Sequence, residues 1–252
     1  MKIFFLLPFV GLFLFSCDES KSTENTQTSE VAEENLSIEE LAKRMIESQL
    51  SIPATENYSL VMHKAHFDGD GREDAVILVN REQFAQNEAK KRNRFEEESK
   101  LSFTGNYNYL FYYSGAEHKI SRPISITSSS FAPLKITIDN IQSQNYKDFS
   151  IDYRILENCY RNFYTIFRGV PKLVFQWSVF EFENPKKESV SFIEYAPGTY
   201  SSAKDIVIFK GKLDAPKPEN IKSDFKYSIS KDGEIEHLFF YNPNEGKYFT
   251  KK

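Results

Sequence analysis

Most of the chain from residue 58 onward alternates between apolar and polar residues, the period-two pattern of strands with one covered face. The alternation is cleanest over residues 134–138 and 149–155. Residues 173–182 are apolar on nearly both faces, which predicts a central strand covered on each side. Shorter strand candidates follow at residues 190–195, 205–210 and 238–241. The pattern predicts a mainly β (α+β) domain, built as an antiparallel sheet or sandwich.

One amphipathic helix is predicted at the beginning of this domain. Ser37 and Glu40 have the spacing of a capping box, in which the hydroxyl and the carboxylate each bond an otherwise unpaired backbone amide. Apolar residues recur behind them at helical spacing as far as Leu50, and Pro53 stands just beyond. We expect this helix to pack its apolar stripe on the rest of the domain.

Residues 81–100 interrupt the strand pattern, because they are highly charged and poor in β-branched residues. Their basic run at residues 90–94 has the appearance of a nucleic-acid patch when it is taken alone. Glu96, Glu97 and Glu98 follow it at helical contact spacing, so the positive charge is compensated locally. We expect one charged helical insertion here, and no nucleic-acid partner.

The beginning of the chain has the organisation of an export signal. Lys2 is followed by an unbroken apolar run over residues 3–15, and then by Ser16 and Cys17. A run of thirteen residues is too short to cross a bilayer as a helix, which needs about twenty residues. It lies within the range of a signal-peptide core. The segment therefore predicts an exported precursor.

The end of this signal, Leu14-Phe15-Ser16-Cys17, resembles the lipobox of bacterial lipoproteins. Phe15 is bulkier than that family usually has at its position. The resemblance implies cleavage after Ser16, which removes residues 1–16 as a signal peptide, and a diacylglyceryl group on the Cys17 sulfur. Each buried CH₂ contributes about 0.8 kcal/mol, so two or three acyl chains, palmitate for example, would hold the protein on a membrane. The alternative is an ordinary cleaved signal in which Cys17 has no special role.

The resemblance implies a lipid-anchored protein of the cell envelope, with the outer membrane as the expected location. Asp18 and Glu19, directly after the cysteine, resemble surface-export signals of some bacterial lipoproteins. An aspartate at that position also resembles the inner-membrane retention signal of others. The leaflet therefore stays open.

Residues 17–35 are predicted to be a lipidated cysteine followed by a disordered acidic tether. Residues 18–35 contain six acidic residues, one lysine and no aromatic residue, too little apolar surface to offset the entropy of ordering. Because the whole chain has a net charge of −4, the excess acidity lies in this tether and residues 36–252 are neutral. We expect residues 36–252 to form a single β-rich domain. Its one cysteine, Cys159, excludes an intramolecular disulfide.

An acidic loop at residues 66–74 is the one motif that carries chemistry. Asp68, Asp70 and Asp74 alternate with glycines and lead directly into an apolar strand. Carboxylates in such a run are how proteins often supply oxygen ligands to Ca²⁺. The loop resembles the acidic loops of FG-GAP and VCBS-like repeats, which implies that these three aspartates are Ca²⁺ ligands and that Gly71 is the turn glycine.

Two interpretations of this loop remain open. His66 stands where that family has its first aspartate, and Ile77 stands where an EF-hand would have its closing glutamate, so any cation would lack ligands. Without an ion, aspartates that bond nearby amides and glycines that accept positive φ make a tight hairpin turn between two strands. The missing carboxylate favours the turn over the Ca²⁺ site.

Tyrosines cluster at residues 107–113, and an exposed face of such rings could bind sugars or a protein. The four residues concerned are Tyr107, Tyr109, Tyr112 and Tyr113. Tyrosine is also an ordinary strand former whose ring fills β cores, and this core position is favoured over the binding face.

No nucleophile, zinc or phosphate-loop motif stands in the sequence, and a catalytic role for Cys159 has no local support. Whether the chain is an enzyme is open, and the sequence favours a protein without enzymatic activity. The leading hypothesis is a membrane-tethered binding or envelope-structural module whose partner is a protein or a glycan. The alternative is a hydrolase of envelope or extracellular polymers, acting through carboxylates whose separation only the fold determines.

Overall fold

Antiparallel strands make up most of the structure, a computed structural model that describes residues 36–101, 103–182, 188–217 and 225–250. Three helices accompany them in the described residues: α1 (Ile38–Leu50), α2 (Glu82–Lys91) and α3 (Phe95–Lys100). The prediction of a mainly β protein with antiparallel sheets is confirmed. The predicted signal peptide, lipobox and acidic tether at residues 1–35 lie outside the described residues.

The first sheet has five strands. They are β1 (Ser59–Ala65), β2 (Asp74–Asn80), β3 (Asn108–Ser114), β4 (Lys119–Ile120) and β5 (Ile124–Ile126). Their order is β1-β2-β3-β4, and β5 also pairs with β3. The hairpin predicted on either side of the acidic loop is present, since β1 and β2 pair from Ser59 with Asn80 to Ala65 with Asp74.

The second sheet has eight strands in the order β13-β12-β11-β10-β9-β8-β7-β6, so each strand pairs with its neighbours in the chain. They are β6 (Lys135–Asp139), β7 (Asp148–Ile155), β8 (Asn158–Phe167), β9 (Val170–Glu181), β10 (Ser189–Ala196), β11 (Asp205–Leu213), β12 (Ile229–Asn242) and β13 (Lys247–Phe249). Register shifts interrupt the β8–β9 and β11–β12 ladders. Such irregularities bend the strands that carry them.

The two sheets share a hydrophobic core. Val76 and Tyr112 of the five-stranded sheet and Phe149 and Tyr164 of the eight-stranded sheet are buried in one cluster. The Phe67 ring joins the sheets, because it meets the Phe149 ring edge-on at 5.7 Å between centroids. The other face of the five-stranded sheet is covered by α1, which buries Ala42 and Ile46 as its amphipathic pattern predicts.

The prediction that residues 173–182 form a strand covered on both faces is wrong. In β9, buried and exposed positions alternate with irregularities, and Leu173 is 42% exposed. Both faces are covered instead in β2, whose first six residues are all buried between α1 and the eight-stranded sheet. The apolar run in β9 instead supplies aromatic residues to a third cluster with β10, β11 and β12.

The charged insertion consists of two short helices, α2 and α3, rather than one. Arg94 pairs with Glu98 at 3.5 Å, at the predicted spacing of four residues. Arg92 also reaches Glu98, at 3.2 Å, whereas Lys91 pairs with Glu88 at 2.6 Å. Among the described residues, no helix has both the length and the apolar character that crossing a bilayer requires.

Candidate functional site

The acidic loop is held at the end of the β1–β2 hairpin by its own carboxylates. Asp74, buried at the first position of β2, accepts hydrogen bonds from the backbone amides of Phe67 at 3.1 Å and Gly115 at 3.0 Å. The loop and the turn after β3 approach so closely that a Cβ atom on Gly115 would lie 2.0 Å from the Glu73 carbonyl oxygen. Only glycine fits at this position. Through its two hydrogen bonds, Asp74 joins the acidic loop to the turn after β3.

Asp68 and Asp70 bind neighbouring groups in the same loop. Asp68 accepts the Asp70 amide and the Tyr112 hydroxyl, each at 3.0 Å, and Asp70 accepts the Arg72 amide at 2.7 Å. Aspartate side chains that bond an amide two residues onward form Asx turns, which hold a loop whether or not an ion is bound. The bond from Tyr112 joins the acidic loop to the tyrosine cluster, a contact that the sequence did not reveal.

One ligand oxygen from each of Asp68, Asp70 and Asp74 lies within 4.8 Å of the others, close enough to converge on a cation. Partial burial raises the pKa of Asp68, and the nearby charge of Asp74 adds to the rise. A cation would reverse that effect by favouring the charged form. The three residues thus fit both the metal-free turn and a cation site with few ligands, and the backbone bonds supply the turn without an ion.

The tyrosine cluster does not form one exposed face. Tyr112 and Tyr113 are buried on opposite faces of the five-stranded sheet, Tyr112 against the eight-stranded sheet and Tyr113 against α1. Tyr109 is partly buried on the α1 side, and the Tyr107 ring packs edge-on against Phe84 of α2. The predicted binding face is wrong for Tyr112 and Tyr113, because both faces of β3 are covered.

A groove of about 580 Å³ opens elsewhere, between β9 and β10. The described ladder between these strands consists of two pairs, Ser189 with Glu181 and Val190 with Phe180. Beyond these pairs β9 bonds to β8 and β10 bonds to β11, so β9 and β10 separate and the groove opens between them.

The lining of the groove combines aromatic rings with hydroxyl, amide and carboxylate groups from five strands. The lining residues are Tyr153, Ile155, Tyr160, Gln176, Trp177, Ser178, Glu181, Ser189, Ser191, Glu236 and His237. Ligand sites are typically clefts of this size, lined by aromatic side chains with a few convergent polar groups.

The Trp177 ring is held in position at the centre of this lining. Its indole N–H donates to the Ser191 hydroxyl at 3.0 Å, and the ring stacks beside Phe175 with an interplanar angle of 8°. The His237 ring lies 5.0 Å from it, centroid to centroid. Because the ring is fixed before any ligand arrives, binding against it costs little ordering of the protein.

The polar groups that line the groove on the side away from Trp177 are also held in place by the sheet. The Gln176 amide donates to the Tyr153 hydroxyl at 2.5 Å across β8. Burial and the charge of Glu181 raise the pKa of Tyr160 to about 12. The Ser178 hydroxyl has no hydrogen-bond partner within the described residues. These groups can donate and accept hydrogen bonds at neutral pH without any change of protonation.

Cys159 lies in a buried polar cluster and is not arranged as a nucleophile. Its sulfur contacts the Tyr227 hydroxyl at 3.2 Å, and that hydroxyl donates to Asp152, which binds Arg161 at 2.5 and 2.8 Å. Burial first, and the charge of Asp152 second, raise the pKa of the Cys159 thiol to about 12. A thiol that is buried and neutral is a poor nucleophile, so the packing of Cys159 suits a structural role.

Sequence reasoning missed the groove, because its residues come from strands that are far apart in the chain. One signal was present: Gln176, Ser178 and Glu181 interrupt the apolar run of β9 with polar groups. Polar residues in a strand that otherwise looks buried indicate either an exposed face or a site. Only the neighbouring strands determine which of these applies.

No protein-family model, curated protein or solved structure matches this chain.

Proposed function

We propose that this chain is a membrane-tethered extracytoplasmic lipoprotein whose β domain binds an oligosaccharide in the groove between β9 and β10. The tethering part of the proposal rests on the sequence of residues 1–35, with Cys17 as the lipidated residue. The binding part rests on one observation, the combination of an open groove with a fixed Trp177 ring and flanking polar groups.

The chemistry of the groove favours a glycan over a protein segment. Sugar rings have C–H faces that pack on aromatic rings, and hydroxyls that both donate and accept hydrogen bonds. Trp177 and Tyr160 supply rings, whereas Gln176, Ser189 and Glu181 supply the matching polar groups.

The fluorescence of Trp177 is a direct test, because it is the only tryptophan in the chain. We expect titration with oligosaccharides of neutral and amino sugars to change its emission in a saturable way. The variant Gln176→Ala should weaken the affinity by about fivefold, the net effect of one lost neutral hydrogen bond.

Gln86→Ala is the matched control, since Gln86 also donates one side-chain hydrogen bond, to Glu82 within α2, and does not line the groove. It should leave the affinity unchanged. If no oligosaccharide in the panel alters the Trp177 emission, or if both variants weaken binding equally, the groove is not a glycan site.

The tether is tested separately by mass spectrometry of the mature protein from bacterial membranes. We expect an amino terminus at Cys17 bearing diacylglyceryl, and a Cys17→Ser variant that is recovered in the soluble fraction. A mature chain that begins at another residue without lipid would refute the anchor and leave the groove proposal intact.

A hydrolase is the second candidate, because two carboxylates, Glu181 and Glu236, line the same groove. Glycoside hydrolases act through such a pair on either side of the scissile bond. Release of new reducing ends by the wild type, lost in Glu181→Gln or Glu236→Gln while Trp177 still reports binding, would establish this activity. Saturable binding without release would support the binding module.

A further inference from the structure

The hairpin that joins β8 and β9 ends in a two-residue turn of apolar and basic residues. Phe167 pairs with Val170, and the turn between them consists of Arg168 at φ 52° and Gly169 at φ 72°. Two consecutive positive φ values match the tight turns whose twist suits a hairpin. We call Phe167, Arg168, Gly169, Val170 and Lys172 together the hairpin tip.

Large apolar side chains are exposed at this tip. Phe167 is 50% exposed, Val170 is 48% exposed, and Leu173, just behind the tip, is 42% exposed. Single exposed apolar residues are ordinary on protein surfaces, but several together mark a surface that another apolar phase covers.

These side chains lie on both faces of the hairpin. Phe167 and Val170 are cross-strand partners and so share one face. Leu173 is three positions after Val170 and therefore projects from the opposite face. A flat protein surface would cover one of these faces, whereas the interface of a bilayer surrounds an inserted tip on both.

The charged side chains of the hairpin are all basic as far as Glu181, the last residue of β9. Residues 158–180 contain no aspartate or glutamate. Arg168 and Lys172 both lie over the Phe167 ring, at 5.1 and 5.2 Å from its centroid. Long basic side chains can keep their charge in water while their stems accompany an apolar residue into an interface.

We propose that the hairpin tip inserts into the interface of an anionic lipid bilayer. Phe167 and Val170 enter the boundary between headgroups and acyl chains, and Arg168 and Lys172 bind the lipid phosphates. Buried apolar area and attraction to anionic lipid add together in such contacts. Next to a lipid-anchored amino terminus, even a weak contact would hold the domain in one orientation on its membrane, because tethering raises its effective concentration.

Vesicle co-sedimentation of residues 36–252 tests this contact without the signal peptide or Cys17. Every described helix, strand and core cluster lies in that segment, so it contains what the fold needs, and circular dichroism verifies each preparation. We expect the protein to sediment with vesicles of phosphatidylcholine and phosphatidylglycerol, and more weakly with phosphatidylcholine alone.

Two variants separate the apolar and the charged contributions. Phe167→Ser with Val170→Ser should abolish sedimentation with both kinds of vesicle. Arg168→Asn with Lys172→Gln should reduce binding to anionic vesicles by about fivefold for each cation removed and leave binding to neutral vesicles unchanged. Asparagine is chosen because it accepts the positive φ of the turn.

Val61→Ser is the matched control, since Val61 is 46% exposed on β1, outside the hairpin. It should sediment like the wild type. The proposal is overturned if the wild type binds neither kind of vesicle, or if the tip variants sediment as well as Val61→Ser does. Because the lipid anchor is absent from this experiment, its outcome is independent of Cys17 and of the glycan groove.

Discussion

Asp74 shows how one side chain of the acidic loop serves the fold whether or not an ion binds. Its carboxylate is buried and accepts two backbone amides from separate loops. An unpaired amide in such a place is costly, so the carboxylate is needed even in a protein without metal.

Replacing Asp74 by alanine is expected to lower the free energy of unfolding by about 3 kcal/mol, because the buried amide of Phe67 and the partly buried amide of Gly115 both lose their partner. A buried amide left without a partner costs about 1–3 kcal/mol. Asp70→Ala, at an exposed position in the same loop, should change it by less than about 1 kcal/mol. Urea unfolding of both variants measures the difference. Equal losses would mean that the loop as a whole, and not Asp74 in particular, stabilises the fold.

Removal of divalent cations distinguishes the two interpretations of the loop. Since Asp68, Asp70 and Asp74 already accept protein hydrogen bonds, we expect the melting temperature to be the same with a chelator and with excess Ca²⁺. A rise with Ca²⁺ that Mg²⁺ does not reproduce, and that Asp70→Asn abolishes, would instead establish a calcium site. Such a site held at a hundred times its Kd would stabilise the fold by about 2.7 kcal/mol.

The buried thiol of Cys159 gives a prediction about reactivity. Because burial raises its pKa to about 12, native protein should resist alkylation by iodoacetamide at pH 8, and protein unfolded in urea should react fully. A Cys17→Ser chain avoids the second thiol, and mass spectrometry counts the adducts. Rapid labelling of the native protein would show that the thiol is accessible and ionised, contrary to its packing beside Tyr227.

At the scale of single elements, α1 is determined by its pattern and stabilised by its packing. Its apolar stripe covers one face of the five-stranded sheet, and Ile46 is fully buried there. The buried ion pair of Arg81 with Glu56, at 2.6 Å, stabilises the carboxyl-terminal end of α1, because Arg81 also donates a hydrogen bond to the Leu50 carbonyl at 3.1 Å.

Ile46→Ala is expected to destabilise the protein by about 2–5 kcal/mol, the range for removing a large aliphatic side chain from a core. Ser48→Ala, on the exposed side of the same helix, should stay within about 0.5 kcal/mol of the wild type. Thermal or urea denaturation provides the measurement. A small effect of Ile46→Ala would mean that α1 frays from the sheet in solution.

At the scale of the whole molecule, the two sheets share a core and should unfold together. Phe67 and Phe149 meet across the boundary, and Phe149 also stacks on Tyr164 at 5.4 Å. The five-stranded sheet therefore depends on the eight-stranded sheet to cover one of its two faces.

Phe67→Ala is expected to cost about 3–5 kcal/mol and to shift the unfolding midpoints seen by circular dichroism and by Trp177 fluorescence equally. Trp177 lies in the eight-stranded sheet, so its emission reports a sheet that does not contain the substitution. Phe167→Ala, at a residue that is half exposed, is the matched control and should have little effect. A Trp177 midpoint that does not move would show that the sheets unfold independently.

The sequence by itself determined the parts of this protein that depend on neighbours in the chain. The spacing of Ile38 to Leu50 predicts α1, the alternation at residues 149–155 predicts β7, and the aspartates and glycines between two apolar runs predict the β1–β2 hairpin. In each case, local backbone geometry decides which side chains share a face. The export signal and Cys17 belong to the same class of inference and stay predictions.

The tertiary structure alone decided which faces are covered. Tyr112 and Tyr113 are buried because a second sheet and a helix, both distant in sequence, close over β3, whereas Leu173 is exposed because nothing comparable covers that part of β9. The groove exists because β9 pairs with β8 and β10 pairs with β11, whereas β9 and β10 pair with each other at only two positions among the described residues. Periodicity reports that a strand has two different faces, but the partner that packs on each face is a property of the assembled chain.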